Sequence, residues 1–264
     1  MRHRPIACAL SVCLFFAFQL SAQTTSSTNS SSVQPLAALQ SAQSALTRNA
    51  TVNDITLTGT AEWIAGSDDD TGTATFQALP GTNRLVLNLS NGPRNEIRSA
   101  NGPAGSWAGI DSVFHPIAVH NLVVDCGLFP LFALATLSAS STTVLTYVGT
   151  EVHNGVSSIH ISAFQQPPPS FDGDASAQRH LSRVDIFLDP STFLPLAYAF
   201  NSHPDKNALV DIPVEVRYSN YQSIGGLQIP LHVQKFTNNS LSLDLQFQNA
   251  TLNTGLTSAQ ISAQ

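Results

Sequence analysis

The stretch DSVFHPIAVHNLVVDCGLFPLFALATLSA, Asp111 to Ala139, breaks the pattern of everything around it: from Pro116 on, 16 of its 24 residues are apolar. On either side of it, apolar and polar residues alternate with the period of two that marks half-buried strands. The stretch therefore reads as a buried helical insert, Phe114 to Leu137, shared by two β halves. Gly127 ends a first helix and Pro130 opens a second. The run would be long enough for a bilayer, which needs ~20 apolar residues. Two prolines, His120 and Asp125 interrupt it, and an internal charge is costly in lipid, so an integral membrane protein is not expected.

Upstream of the insert, Pro35 sits where a helix begins, and Leu36, Leu39, Ala42 and Leu46 recur at steps of three and four as one apolar stripe. From Asn53 the period becomes two. Ile55, Leu57, Ala61 and Trp63 share one face of a strand, then Ala74, Phe76 and Ala78, then Leu85, Leu87 and Leu89. Ser67 to Thr71 reads as an acidic turn, and Pro80 to Asn83 as another. Two shorter strands, Glu96 to Ala100 and Ser106 to Ile110, flank the turn signal Asn101-Gly102-Pro103.

Downstream, Val144 to Val152 and Val156 to Phe164 form a hairpin about Asn154-Gly155, the strongest short hairpin signal. Gln165 to Ala177, with three consecutive prolines, reads as a surface loop. Five one-faced strands follow: Val184 to Leu188; Leu194, Leu196, Tyr198 and Phe200; Val210, Ile212, Val214, Val216 and Tyr218; Leu227, Ile229, Leu231 and Val233; Leu241, Leu243, Leu245 and Phe247.

The totals exclude several functions. Arg2, Arg4, the apolar run Ile6 to Phe18 and Leu20-Ser21-Ala22 make residues 1–22 a signal peptide. Removing it leaves nine basic against 17 acidic residues, a net charge of −8. Such a surface repels phosphate backbones, so no nucleic-acid partner is expected. Residues 23–34, nearly all polar, read as a disordered tether, residues 35–255 as one β domain and residues 256–264 as a C-terminal tail. Cys126 is then the sole cysteine and is expected to be a buried, inert thiol. An exported, soluble monomer is the expectation.

Roughly ten strands with one apolar face each must hide those faces from water, at about 25 cal/mol per Å² of apolar area. Closing or half-closing the sheet turns every row inward. The expected fold class is therefore α+β, mainly β: an incomplete antiparallel β-barrel whose helices fill or cover an apolar interior.

Short motifs add a resemblance. Gly59-x-x-x-Trp63, then Gly72 leading a strand to Pro80-Gly81-Thr82-Asn83-Arg84-Leu85, and near the end Tyr218-Ser219-Asn220-Tyr221 with Gly225-Gly226-Leu227-Gln228-Ile229-Pro230, resemble the outer-membrane lipoprotein carrier and sorting superfamily. The likeness spans Leu36 to Asn253. It implies a half-barrel with a helical lid over a hydrophobic cavity, a periplasmic setting, and a hydrophobic small molecule or lipid as partner, lipoprotein acyl chains among them. The long insert and the proline-rich loop depart from the dedicated carriers.

The ligand-binding candidates are accordingly Trp63, Phe76, Arg84, Leu87, Phe114, Phe129, Phe132, Val214, Leu231 and Leu245, with Arg84 matching the arginine of the superfamily motif. No cofactor is called for. His115, His120 and Asp125 scatter about a helix, since five-residue steps rotate side chains by about 140°, and Asp68-Asp69-Asp70 lacks the spaced ligands of a calcium loop, so no metal site is assigned. Gly-x-Ser-x-Gly, His-Glu-x-x-His and phosphate-loop motifs are absent, and with them the anchors of catalysis. Three readings stand: a non-catalytic binder or carrier of an acyl chain or lipidated molecule, an envelope protein-protein interaction module, and a hydrolase of unrecognised type.

Overall fold

The computed structural model describes residues 34–99, 104–125 and 127–262. The expected signal peptide, nearly all of the tether, the Asn101-Gly102-Pro103 turn and Cys126 lie outside the described residues. The chain opens with helix α1, Pro35–Thr47, which starts on its proline and ends where Arg48 turns left-handed at φ 45°. Its buried side is Ala38, Leu39, Ala42 and Leu46, whereas Leu36 is exposed. Three-residue steps precess by about 60° each, which carries Leu36 about 100° off the centre of the stripe.

Thirteen strands form a single antiparallel sheet. The first six are β1, Ile55–Ala65; β2, Asp68–Leu79; β3, Thr82–Leu89; β4, Gly92–Ser99; β5, Ala104–Ala108; and β6, Phe114–Pro116. The one-turn helix α2, Val119–Leu122, and helix α3, Pro130–Ala139, lead to β7, Thr143–His153, and β8, Val156–Gln165. After α4, Ala175–Leu181, come β9, Val184–Leu188; β10, Pro195–Ser202; β11, Ile212–Ile224; β12, Leu227–Thr237; β13, Ser240–Leu252; and a last turn, α5, Ser258–Ser262.

The strand order β6-β5-β4-β3-β2-β1-β13-β12-β11-β10-β9-β8-β7 explains the insert. The chain enters at mid-sheet, walks out to one edge, crosses, and walks back from the other edge until β13 pairs with β1. Edge strands β6 and β7 do not pair, so the curved sheet is an incomplete barrel. The crossing segment joins the two edges, and its Val124, Leu128, Phe129 and several α3 side chains are buried in the core, which requires an apolar sequence. Among the described residues no helix is long and apolar enough to cross a membrane.

One core joins the inward rows of the sheet with α1 and α3. Ile55, Leu57, Phe76, Ile161, Ile186, Leu188, Ile229 and Leu245 are fully buried in it. The Asn154-Gly155 turn has both residues at positive φ, 51° and 80°, as a two-residue hairpin turn demands.

Four local expectations are corrected. Asp68, Asp69 and Asp70 begin β2 instead of forming a turn, and buried Asp70 accepts hydrogen bonds from Ser90 Oγ and the Asn91 amide. Phe114 belongs to β6 and not to a helix. In β10 the register shifts between Pro195 and Ala197, which takes Leu196 off the row of Tyr198 and Phe200. Val210 precedes β11 and is exposed.

The register of β13 yields a direct test. Leu245 pairs with Ala61 and Val233 and is fully buried, while its neighbour Gln246 is exposed. Leu245→Asp places a charge in the core and should cost about 4 kcal/mol or more in urea denaturation. Gln246→Asp should cost under about 1 kcal/mol; similar costs for the two would refute the register.

Candidate ligand-binding cleft

On β4 the period of two places Arg94, Glu96 and Arg98 opposite Leu87, Leu85 and Asn83 of β3, so three charged side chains share the inward face with two leucines. They line a cleft of about 160 Å³ together with Trp63, Leu128, Lys235 and Leu243. The Arg94 guanidinium lies 3.4 Å from the centre of the Trp63 ring, a cation–π contact. Asp125 reaches in from the insert. Its Oδ2 accepts from Arg98 at 3.0 Å and from Lys235 Nζ at 3.1 Å. Arg98 also meets Glu96 at 3.0 Å. Three cations face two carboxylates, so the cleft carries a net positive charge beside an apolar wall.

The carboxyl of Asp125 is buried, which pushes its pKa up, but the charges of Arg98 and Lys235 outweigh burial and hold it below its ordinary value. Three further contacts seat the same segment. Tyr218 donates its hydroxyl hydrogen to the Gly127 carbonyl. A side chain at Gly127 would come within 2.7 Å of the Tyr198 ring, so the close approach requires glycine. Phe129 and Phe132 then pack edge to face at 5.1 Å in the core.

Eight of the ten candidates from the sequence come together. Phe76, Leu87, Phe129, Phe132, Val214, Leu231 and Leu245 belong to the one core, and half-buried Trp63 packs against it. Only Trp63 and Leu87 line the cleft. Phe76, Phe129 and Phe132 border a slot of about 10 Å³, little more than the space for one water. Arg84 and Phe114 do not join them. Arg84 alternates with Leu85 and Leu87, so it points to the other face, where its Nε donates to Asn95 Oδ1 at 3.1 Å. Phe114 lies on that other face too, beside Val86, Asn95 and Ala108.

Sequence reading passed over Arg94, Glu96, Arg98 and Lys235, and took Asp125 as an interruption of the insert and as a metal ligand to be set aside. A usable signal was present. Once β3 is set by Leu85 and Leu87, a tight hairpin at Ser90-Asn91 fixes Arg94, Glu96 and Arg98 on the same face. The partnership with Asp125 and Lys235 spans 110 residues and has no local signature.

No family model and no curated protein matches the sequence. Among solved structures, a domain from Vibrio parahaemolyticus named for outer membrane lipoprotein sorting superposes with a TM-score of 0.53 at 13% identity, covering 85% of this chain and 95% of that one. This chain has the fold of that domain. A DUF1329 family protein from Desulfovibrio piger gives 0.52 at 12% identity, covering 87% of this chain and 98% of that chain. The lipoprotein-sorting fold that the motifs implied is thus the fold observed, and in it the present chain covers the concave face with its insert.

The Asp125 bridge makes closure sensitive to acid. Because its folded pKa is depressed, its contribution is full above the unfolded value of 3.8 and disappears as pH falls through the lower folded value. Asp125→Asn should cost about 3 kcal/mol at neutral pH, leaving Arg98 and Lys235 uncompensated. The difference from wild type in urea midpoint should shrink below about pH 4. A gap that stays constant down to pH 2 would remove Asp125 as the charged partner.

Proposed function

We propose that the protein is an exported, periplasmic binder or carrier of a hydrophobic ligand with an anionic head, without catalysis, and that the ligand enters at the cleft under Asp125. The observation that carries this reading is the meeting of Arg94, Arg98 and Lys235 with Trp63, Leu85, Leu87, Leu128 and Leu243 at one opening of an otherwise packed core. An arginine fork recognises carboxylate or phosphate, and the leucines suit the first carbons of a chain. Small-molecule pockets span about 300–1,000 Å³, so a cleft of about 160 Å³ takes a head group and little more. A whole acyl chain needs the segment around Asp125 to Phe129 to move outward, in keeping with its role as a lid. Lipid or lipoprotein acyl chains fit this reading, and the name of the Vibrio domain agrees with it.

One feature favours the interaction-module reading. Among the described residues, edge strand β7 pairs only with β8, and it presents Val148 and Val152 to solvent, 51% and 75% exposed, an edge that a partner strand could extend.

The test is titration of delipidated protein with a fluorescent fatty acid, and with an alkyl phosphate and an alcohol of equal chain length as competitors. The anionic probes should bind at least about tenfold more tightly than the alcohol. Arg94→Met should remove most of that preference, and Asp125→Asn should raise affinity by freeing the lid. Lack of saturable uptake by both wild type and Asp125→Asn, each still folded, would shift the reading to the module. Native mass spectrometry of protein taken from its own periplasm should show retained lipid and a monomer.

A further inference from the structure

Far from the cleft, three side chains converge that the sequence keeps apart. His180 lies in the last turn of α4. His203 follows β10 and Asp211 precedes β11, and because Ser202 pairs with Ile212, these two flank the base of that hairpin. Asp211 Oδ1 is 2.8 Å from His180 Nε2 and 3.5 Å from His203 Nδ1, and one donor atom from each of the three residues lies within 4.8 Å of the others. Ligands of a tetrahedral ion with bonds of 2.0–2.1 Å are about 3.3 Å apart, a spacing these two contacts straddle.

Hydrogen bonding alone accounts for His180 and Asp211, whose side chains are 44% and 40% exposed. For His203 it accounts for Nδ1, which can donate to the Val210 carbonyl, but not for Nε2. Its ring is fully buried, its Nδ1 faces two acceptors, Asp211 Oδ1 and the Val210 carbonyl at 3.1 Å, and its Nε2 has no hydrogen-bond partner. What points to a ligand is the convergence at Nδ1: the ring presents that atom, fully buried, toward Asp211 Oδ1, which His180 Nε2 also approaches. Outer supports are present as well. Asn201 Nδ2 donates to the second oxygen of Asp211 at 2.8 Å and fixes the carboxylate. Asn121, from the insert, grips His203 through both its amide and its carbonyl at 2.8 Å. His120, beside Asn121, sets its ring edge-on to His203 at 5.8 Å, and its Nε2 is likewise buried without a partner.

We propose that His180, His203 and Asp211 bind a divalent transition-metal ion of the zinc class. Two imidazoles and one carboxylate suit zinc and its first-row neighbours, and not magnesium or calcium, which take oxygen sets. Binding through Nδ1 moves the proton of neutral His203 to Nε2, so no redox partner or co-reactant enters. Three protein ligands leave the fourth position to water. Solvent reaches the site through an open cleft of about 410 Å³ that His180 and Asp211 help to line. The ion would join α4 to the β10–β11 connection and, through Asn121, steady the first turn of the insert.

The test uses the untagged mature chain after chelator treatment and dialysis. Cobalt(II) should bind at one equivalent with the absorption of a low-symmetry nitrogen–oxygen site, zinc should displace it, and zinc should raise the thermal midpoint. His180→Ala and Asp211→Asn alter exposed side chains and should leave the fold intact while weakening zinc at least about a hundredfold and abolishing the thermal shift. His232→Ala, which removes a histidine paired with Asp244 elsewhere on the sheet, should change neither. Excess magnesium or calcium should not compete. The proposal is overturned if folded wild type shows no saturable zinc or cobalt binding below about 100 μM, if His180→Ala and Asp211→Asn bind like wild type, or if His232→Ala weakens binding as much as they do.

Discussion

The architecture depends on one constraint: most strands of the sheet turn an apolar face to one side, and among the described residues its two edge strands do not pair. A closed barrel would hide that face by itself. Here the chain hides it with its own crossing segment and with α1, which pack on each other and on the inward rows. The apolar insert and the open sheet are therefore two halves of one solution. Filling by helices also accounts for the tight interior beside Phe76, Phe129 and Phe132, where a slot of about 10 Å³ remains.

An entry at mid-sheet creates a second requirement, because the first and last strands must find each other across the whole sequence. The β1–β13 ladder does most of this. Asp54 secures its end. Buried just before β1, its carboxylate accepts from the amides of Thr254, Gly255 and Leu256 and from the Thr254 hydroxyl. Burial pushes its pKa up, but those hydrogen bonds win and hold it low. A single ionised side chain thus closes the two ends of the folded chain 200 residues apart.

What could be read from the sequence was whatever repeats locally. Alternation at Leu85-Leu87-Leu89 or Leu243-Leu245-Phe247 gives a strand and its buried face without knowing the partner, and Asn154-Gly155 gives the turn. The half-barrel followed from the surplus of such faces. Failures came where a local pattern meets a distant neighbour. Arg84 matched a motif, yet the alternation that buries Leu85 and Leu87 sends it outward. Asp68 to Asp70 looked like a turn because acids favour solvent, but Ser90 and Asn91 satisfy Asp70 from the next hairpin. The β4 side of the cleft could be read from alternation, but its meeting with Asp125 and Lys235, and that of His180 with His203 and Asp211, join segments far apart in sequence.

The chemistry of the lid contact bears on how the cleft could work. An apolar lid sealed by packing alone would have to expose its whole surface before anything replaced it. A charge bridge behaves differently. Buried ion pairs contribute little net stability compared with apolar replacements, yet removing one partner is costly, because it leaves the other charge without compensation. Arg98, beside Glu96, and Lys235 share the anion that Asp125 supplies from the insert. An incoming carboxylate or phosphate that takes over the same two donors exchanges one satisfied state for another, so the electrostatic cost of releasing Asp125 is offset as the ligand arrives. The residual cost is the withdrawal of Leu128 and Phe129 from the core, and a hydrocarbon chain entering the space they leave restores the apolar contact. On the proposed reading, head group and chain thus answer separate parts of the contact, which favours a polar amphiphile over either a bare anion or a bare hydrocarbon.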